Sequence, residues 1–193
     1  MISNMALILA AGASTRMGRP KALVQMDGVP LLELVCTPYR RAGIRVLVIT
    51  GFHAREVESL ITRLGLKFIR NPAPWRGMIS SVRTGLHALP RDVEQVFIHP
   101  VDCPGVTSHT LQSLSASLQA FPMAGGAKPT YNQRGGHPLL LTRTSWTRVL
   151  SKRCTDLRSM IAGSLEYMLR IEGDDAAVLN DFDTPAALIG QSR

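Results

Sequence analysis

The chain has few aromatic residues (two Trp, three Tyr and five Phe in 193 residues) and only three cysteines. Cys36, Cys103 and Cys154 are widely spaced, with no CxxC or Cys/His ligand spacing, which argues against a disulfide framework and against a structural zinc site. Reduced thiols in a cytoplasm are the expectation. No apolar run reaches the roughly 18 residues a membrane-spanning helix needs. The opening MISNMALILAAG lacks a basic start and a cleavage-type site, so it is read as a first strand and not as a secretory signal. Internal repeats, low-complexity tracts and linkers are also missing, and 193 residues suit one domain, 1–193, with a sizeable core. Acidic residues are in deficit, 14 against 22 Lys and Arg, for a net charge of +8. The arginines are scattered singly from Arg16 to Arg193. With no basic tracts interleaved with aromatics, the charge suits an anionic small ligand better than nucleic acid.

What is present is alternation. MALILAA (5–11), RVLVITG (45–51), LKFIRN (66–71) and EQVFIHPVD (94–102) read as buried strands. PLLELVCTPYRRAG (30–43), HAREVESLITRLG (53–65), SSVRTGLHAL (80–89) and SHTLQSLSASLQAF (108–121) read as helices, the first with Pro38 placed to kink or break it. Strand and helix in turn predict an α/β fold: a mostly parallel sheet covered by helices on both faces, a three-layer α/β/α Rossmann-like arrangement. The second half is less regular. MAGGAKPTYNQRGGHPLLLT reads as two short strands flanking a Gly-rich loop, SWTRVLSKR and DLRSMIAGS as helices, and EYMLRIEG as a strand. DDAAVLNDFDTPAALIG reads as a strand or loop leading into a helix that starts at Thr184-Pro185. Trp75 and Trp146 are read as packing residues.

The chemistry concentrates in ALILAAGASTRMGRPKALV (6–24). A strand ends in a loop of small residues, at the sheet edge where open α/β folds bind ligands and where backbone N–H groups are open to close approach. The loop has neither the GxxxxGK[ST] order of a P-loop nor GxGxxG. Arg16 and Lys21 stand five residues apart behind it, placed to neutralise a polyphosphate. The same stretch serves equally as an ordinary β-to-α turn with two exposed cations. Asp102 follows the strand ending at Val101, where a hard cation would find carboxylate and phosphate oxygens together; capping the turn into Pro104 is its alternative role. Asp183 precedes Thr-Pro and is a natural helix cap.

These residues carry a resemblance. LAAGxSxRMGxxKxL, matched by Leu9, Ala10, Ala11, Gly12, Ser14, Arg16, Met17, Gly18, Lys21 and Leu23, resembles the signature loop of the MobA-like nucleotidyltransferases, and within them the molybdenum cofactor cytidylyltransferases. NPAPWRGMISSVRTG (71–85), HPVDCP (99–104), GGHP (135–138) and NDFDTP (180–185) resemble further elements of that family, in its order. His99 departs from it, standing where the family carries glycine or a small residue. The resemblance implies the nucleotide-diphospho-sugar transferase type of fold and a nucleotide site of Leu9, Ala10, Ala11, Gly12, Arg16, Lys21, Asn71, Ser81 and Asp102. It implies catalytic roles for Arg16 and Lys21 at the departing pyrophosphate, and for Asp102. It further implies Mg²⁺ held by Asp102 and Asp183, with Asp181 as competitor for the second position, and contact of Gly136 and His137 with the acceptor.

The reaction implied is transfer of a nucleoside monophosphate from an NTP to a phosphate on a molybdopterin-type acceptor. CTP is favoured because the loop carries Ala-Ala-Gly and Gly-Arg-Pro-Lys where guanylyl relatives more often show Ala-Gly-Gly and Gly-Asp-Lys. A molybdoenzyme receiving the product would be a further partner; neither membrane nor nucleic acid is expected. Alternatives are a guanylyltransferase, a sugar-phosphate or alcohol-phosphate nucleotidyltransferase of the same fold, and a non-catalytic chaperone that binds nucleotide or cofactor. Acceptor binding falls to the irregular region from Lys128 to His137.

Overall fold

The computed structural model describes residues 3–15, 17–151, 159 and 167–182. Arg16, Cys154, Asp183, the DLRSMIAGS segment except Ser159, and the helix expected from Thr184 lie outside the described residues. Among the described residues eight strands form one sheet in the order β10-β7-β9-β6-β1-β4-β5, with β8 paired to β7. The strands are β1 (Asn4–Ala10), β4 (Arg45–Thr50), β5 (Lys67–Arg70), β6 (Gln95–Pro100), β7 (Gly126–Tyr131), β8 (Arg134–Gly135), β9 (Leu139–Thr142) and β10 (Met168–Glu172). A separate hairpin pairs β2 (Gln25–Met26) with β3 (Val29–Pro30). The helices are α1 (Leu31–Arg41), α2 (Ala54–Arg63), α3 (Met78–His87), α4 (Ser108–Ala120) and α5 (Arg143–Ser151).

The mostly parallel sheet is as the alternation predicts. β1 runs parallel to β4 and β6, β4 to β5, and β10 to β7, whereas β9 is antiparallel to both β6 and β7. Every residue of β1 from Met5 to Ala10 is buried. Because successive side chains leave opposite faces, Ala6 and Ile8 join a core with Leu32 and Tyr39 of α1, Val57 and Ile61 of α2, and Leu111 and Leu114 of α4. Leu7 and Leu9 join a second core with Ile79, Val82 and Leu86 of α3 and Trp146 and Val149 of α5. Two cores on the two faces make three layers.

Three local expectations are revised. Pro38 sits inside α1 without ending it; the buried Val35, Cys36 and Tyr39 hold the helix on the sheet across the missing N–H. The 123–142 stretch yields three strands, β8 being a two-residue return of β7 through a turn with positive φ at Asn132 and Gln133. Trp146 packs as expected, but Trp75 does not. It lies in a short 3₁₀ turn, Pro74–Arg76, closed by Gly77 at φ 79°, and is 70% exposed.

Gly85 sets how closely α3 approaches the sheet: a Cβ there would lie 2.8 Å from Leu7 Cδ1 and 2.9 Å from Ile49 Cδ1. Gly85→Val should destabilise the fold by about 1–3 kcal/mol through overpacking, lowering Tm by about 2–4 °C per kcal/mol for a chain of this size. A melt indistinguishable from wild type would refute this packing.

Candidate active site

β1 is the strand at which the sheet changes direction, β4 lying on one side and β6 on the other, and such switch points open a crevice at the carboxyl edge. Here the crevice is a cleft of about 430 Å³, walled by Leu9–Thr15, Pro20–Ala22, Phe52, Pro74, Gly77, Met78, Ser81 and Pro100–Asp102. Leu9, Ala10, Ala11, Gly12, Lys21, Ser81 and Asp102, all singled out in the sequence, are therefore brought together. Leu9 and Ala11 hold the walls through backbone: the Leu9 carbonyl accepts from Val101 N at 3.1 Å and the Ala11 carbonyl from Phe52 N at 3.4 Å. A Cβ on Gly12 would meet no protein atom within 4 Å, so the loop leaves that space to a ligand.

The loop is shaped by its own polar atoms. Ser14, at φ 52°, accepts at its carbonyl from Met17 N (3.0 Å) and at its hydroxyl from Lys21 N (3.0 Å). His53 Nε2 lies 2.9 Å from the Ala13 carbonyl. The folded loop delivers Lys21 to the end of β6, where its Nζ contacts Asp102 Oδ2 at 2.6 Å, the two side chains 16% and 20% exposed. In the described structure this carboxylate meets a lysine, and the turn after it is closed by Cys103 N on the Pro100 carbonyl at 3.3 Å.

Asn71 lies behind the cleft wall. Its amide donates to Ser80 Oγ (2.8 Å) and Ser81 Oγ (3.0 Å) and its carbonyl oxygen accepts from Ala73 N (2.9 Å), which fixes the start of α3 and presents Ser81 to the cleft. Gly136 is shaped by close backbone approach: a Cβ there would lie 2.1 Å from the Val178 carbonyl, which also accepts from His137 N at 2.8 Å. The 176–182 segment is stitched onward by Asn180 Nδ2 to the Pro104 carbonyl (2.8 Å) and by Phe182 N to the Asp102 carbonyl (2.9 Å). His137 and Asp181 thus come to the Asp102 end of the site, and both carboxylates act on the imidazole, favouring its charged form against the larger effect of burial, which lowers its pKa.

His99 is fully buried between α1 and the turn after β6. Tyr39 Oη lies 2.8 Å from Nδ1 and the Cys103 carbonyl 2.9 Å from Nε2. The carbonyl can only accept, so Nε2 carries the proton and the tyrosine donates to Nδ1. His137 stacks on the ring at 6.4 Å. The residue that departs from the family pattern is thereby a strut under the turn that bears Asp102.

Asp102 brings hard oxygen donors to the cleft wall, Asp181 is near enough that both carboxylates act on the Cys103 thiol, and among the described residues no three His, Cys, Asp or Glu groups come together. That donor set fits a cation carried largely by phosphate and water oxygens, such as Mg²⁺.

The family described as MobA-like NTP transferase domain matches residues 6–171. The chain belongs to this family. It is 24% identical over 181 residues to the molybdenum cofactor cytidylyltransferase of Escherichia coli (strain K12), covering 93% of this chain and 90% of that protein. It is 31% identical over 134 residues to the "Probable molybdenum cofactor guanylyltransferase" of Nostoc sp. (strain PCC 7120), covering 69% of this chain but only 62% of that protein. In fold it is similar to Rv0371c from Mycobacterium tuberculosis H37Rv, solved in complex with manganese, at a TM-score of 0.73 and 19% identity over 98% and 99% of the two chains.

Sequence reasoning passed over several wall residues of this MobA-like domain. Phe52 is one, and Gly51 before it supports the wall: a Cβ there would lie 2.6 Å from the Ala11 carbonyl, so glycine lets the loops after β1 and β4 touch. The signal was available, since GFH leaves the carboxyl end of a central strand just as the first loop does.

His99 gives a pH prediction. Burial pushes its pKa from 6.5 to about 3. Above pH 6.5 the ring is neutral folded or unfolded; below it the unfolded chain binds a proton that the native state refuses, so stability is lost as pH falls from 6.5 toward 3. His99→Gln should cost about 1–3 kcal/mol at pH 7 for the disrupted buried hydrogen bonds. The gap to wild type should narrow steadily below pH 6.5 in urea melts; a constant gap would contradict a buried neutral histidine.

Proposed function

We propose that this MobA-like transferase uses CTP to transfer CMP onto the terminal phosphate of the molybdopterin form of the molybdenum cofactor, releasing pyrophosphate. The observation that carries the reading is the Lys21–Asp102 contact at the mouth of a side-chain-poor loop. It puts one cation and one carboxylate where a triphosphate laid along Ala10–Thr15 would end. Named relatives that act on the molybdenum cofactor support the acceptor, and the Ala-Ala-Gly form of the loop supports CTP over GTP.

A phosphate oxygen of the acceptor attacks the α-phosphorus in line, forming the new P–O bond as the bond to the β-phosphate bridging oxygen breaks. No residue need act as a covalent nucleophile; positioning and charge neutralisation carry such a transfer. The loop backbone holds the nucleotide, Lys21 leaves Asp102 for the phosphates, and Lys21 with Arg16 stabilises charge on the departing pyrophosphate. Asp102, with Asp183 or Asp181, would hold Mg²⁺. When bound, that ion would neutralise phosphate charge and act as a Lewis acid. Ser81, fixed by Asn71, faces the nucleotide, and Gly136 and His137 border the acceptor.

With Mg²⁺ and molybdenum-loaded molybdopterin, pyrophosphate release should occur with CTP and far less with GTP, ATP or UTP, and should need the acceptor. Release with GTP alone would transfer the reading to a guanylyltransferase. Lys21→Ala should lower kcat by about 10²–10³, the effect of losing one preorganised charge-stabilising group, and Asp102→Asn should do at least as much. Turnover near wild type in Asp102→Asn would remove that carboxylate from the mechanism.

A further inference from the structure

With Lys21 serving the triphosphate, a second anionic group arriving at the same end of the site needs another cation. β7 supplies one. Lys128 is half-buried, and its ammonium makes no hydrogen bond or ion pair with any described residue. Its stem lies across Gly135 of β8: a Cβ on that glycine would be 2.9 Å from Nζ, 3.0 Å from Cε and 3.5 Å from Cδ. A bare glycine is thus what lets the lysine lie flat on the strand. No counter-charge comes from its register partner on β10, which is Arg170, another cation. The residue after Gly135 extends the β7–β8 pairing, Gly136 N donating to the Pro129 carbonyl at 2.9 Å, and His137 follows directly; beside the larger effect of burial, Lys128 disfavours the charged form of that imidazole while Asp102 and Asp181 favour it. A half-buried charge without a partner is costly, and a lysine is a compact point charge suited to phosphate.

We propose that Lys128, laid over Gly135, anchors the phosphate monoester of the acceptor. The proposal deepens the transferase reading and rests on it for the identity of the acceptor. It divides the cations between substrates: Lys21 serves the triphosphate, and Lys128 draws a dianionic nucleophile toward a site that already holds two carboxylates and the nucleotide.

The test has two arms. In turnover, Lys128→Met should raise KM for molybdopterin by about ten- to a hundredfold, the range expected for one lost charge-assisted hydrogen bond, with KM for the nucleotide unchanged; Lys128→Arg should restore part of it. Gly135→Ala displaces only the flexible end of the lysine, so it should raise the same KM severalfold in the wild-type background and not at all in Lys128→Met, as coupled positions do. An unchanged acceptor KM in Lys128→Met, or equal effects of Gly135→Ala in both backgrounds, overturns the proposal. In binding, inorganic phosphate is titrated calorimetrically into protein saturated with the α,β-methylene analogue of the nucleotide it binds most tightly. Wild type should bind phosphate and Lys128→Met should bind it at least about tenfold more weakly. No phosphate binding by wild type, or equal binding by the variant, also overturns it. Lys128-dependent phosphate binding without turnover of molybdopterin would leave the anchor standing and remove molybdopterin as the acceptor.

Discussion

The architecture depends on one constraint: β1 has no face to give to water. With Met5 to Ala10 buried throughout, helices must cover both sides of the sheet, and α1, α2 and α4 take one face while α3 and α5 take the other. β4 and β6 flank β1 on opposite sides, and the segments that leave these three strands wall the carboxyl edge. The cleft is the space between them. Gly51 then sets its width, since only a residue without a Cβ lets the loop after β4 rest on Ala11.

Charge at that edge is paired within the protein. The Lys21–Asp102 contact, largely removed from water, pairs the two groups that would otherwise be partly desolvated alone. His99 follows the same logic: held neutral between Tyr39 and the Cys103 carbonyl, it supports the Asp102 turn without adding a cation next to it.

Much of this was legible in the sequence because the relevant signals are local. Periodicity marked the sheet strands and α-helices of the first 121 residues to within a few positions but not the β2–β3 hairpin; the small-residue loop, Lys21 and Asp102 fall on the cleft wall as the strand-end rule predicts, and Ser81, which the resemblance implies, joins them there from α3. What was not legible is either too short to carry a period or depends on contacts that form only on folding. Nothing near Trp75 says that Gly77 will turn it outward, and a two-residue strand such as β8 has no period to detect. Asn71 was singled out for the nucleotide, but its amide is engaged with Ser80 and Ser81, a fact that appears only once residues 71–84 fold on themselves. His99 looked like an isolated departure until Tyr39, 60 positions earlier, was seen to meet it.

The two halves of the cleft also differ in how they are built. The nucleotide side is set by buried packing beneath a parallel sheet, where shifting one loop would disturb β1 and both cores. The other side hangs on a few contacts between short strands and loops: Gly136 against the Val178 carbonyl, the Thr130 hydroxyl donating to Glu172 at 2.5 Å, and the Asn180 side chain donating to the Pro104 carbonyl. Edge strands joined by turns tolerate sequence change without cost to the core. On the proposed reading, a fold organised in this way keeps the triphosphate side fixed by its core while the acceptor side is free to change, and Lys128 laid over a bare Gly135 lies on that second side.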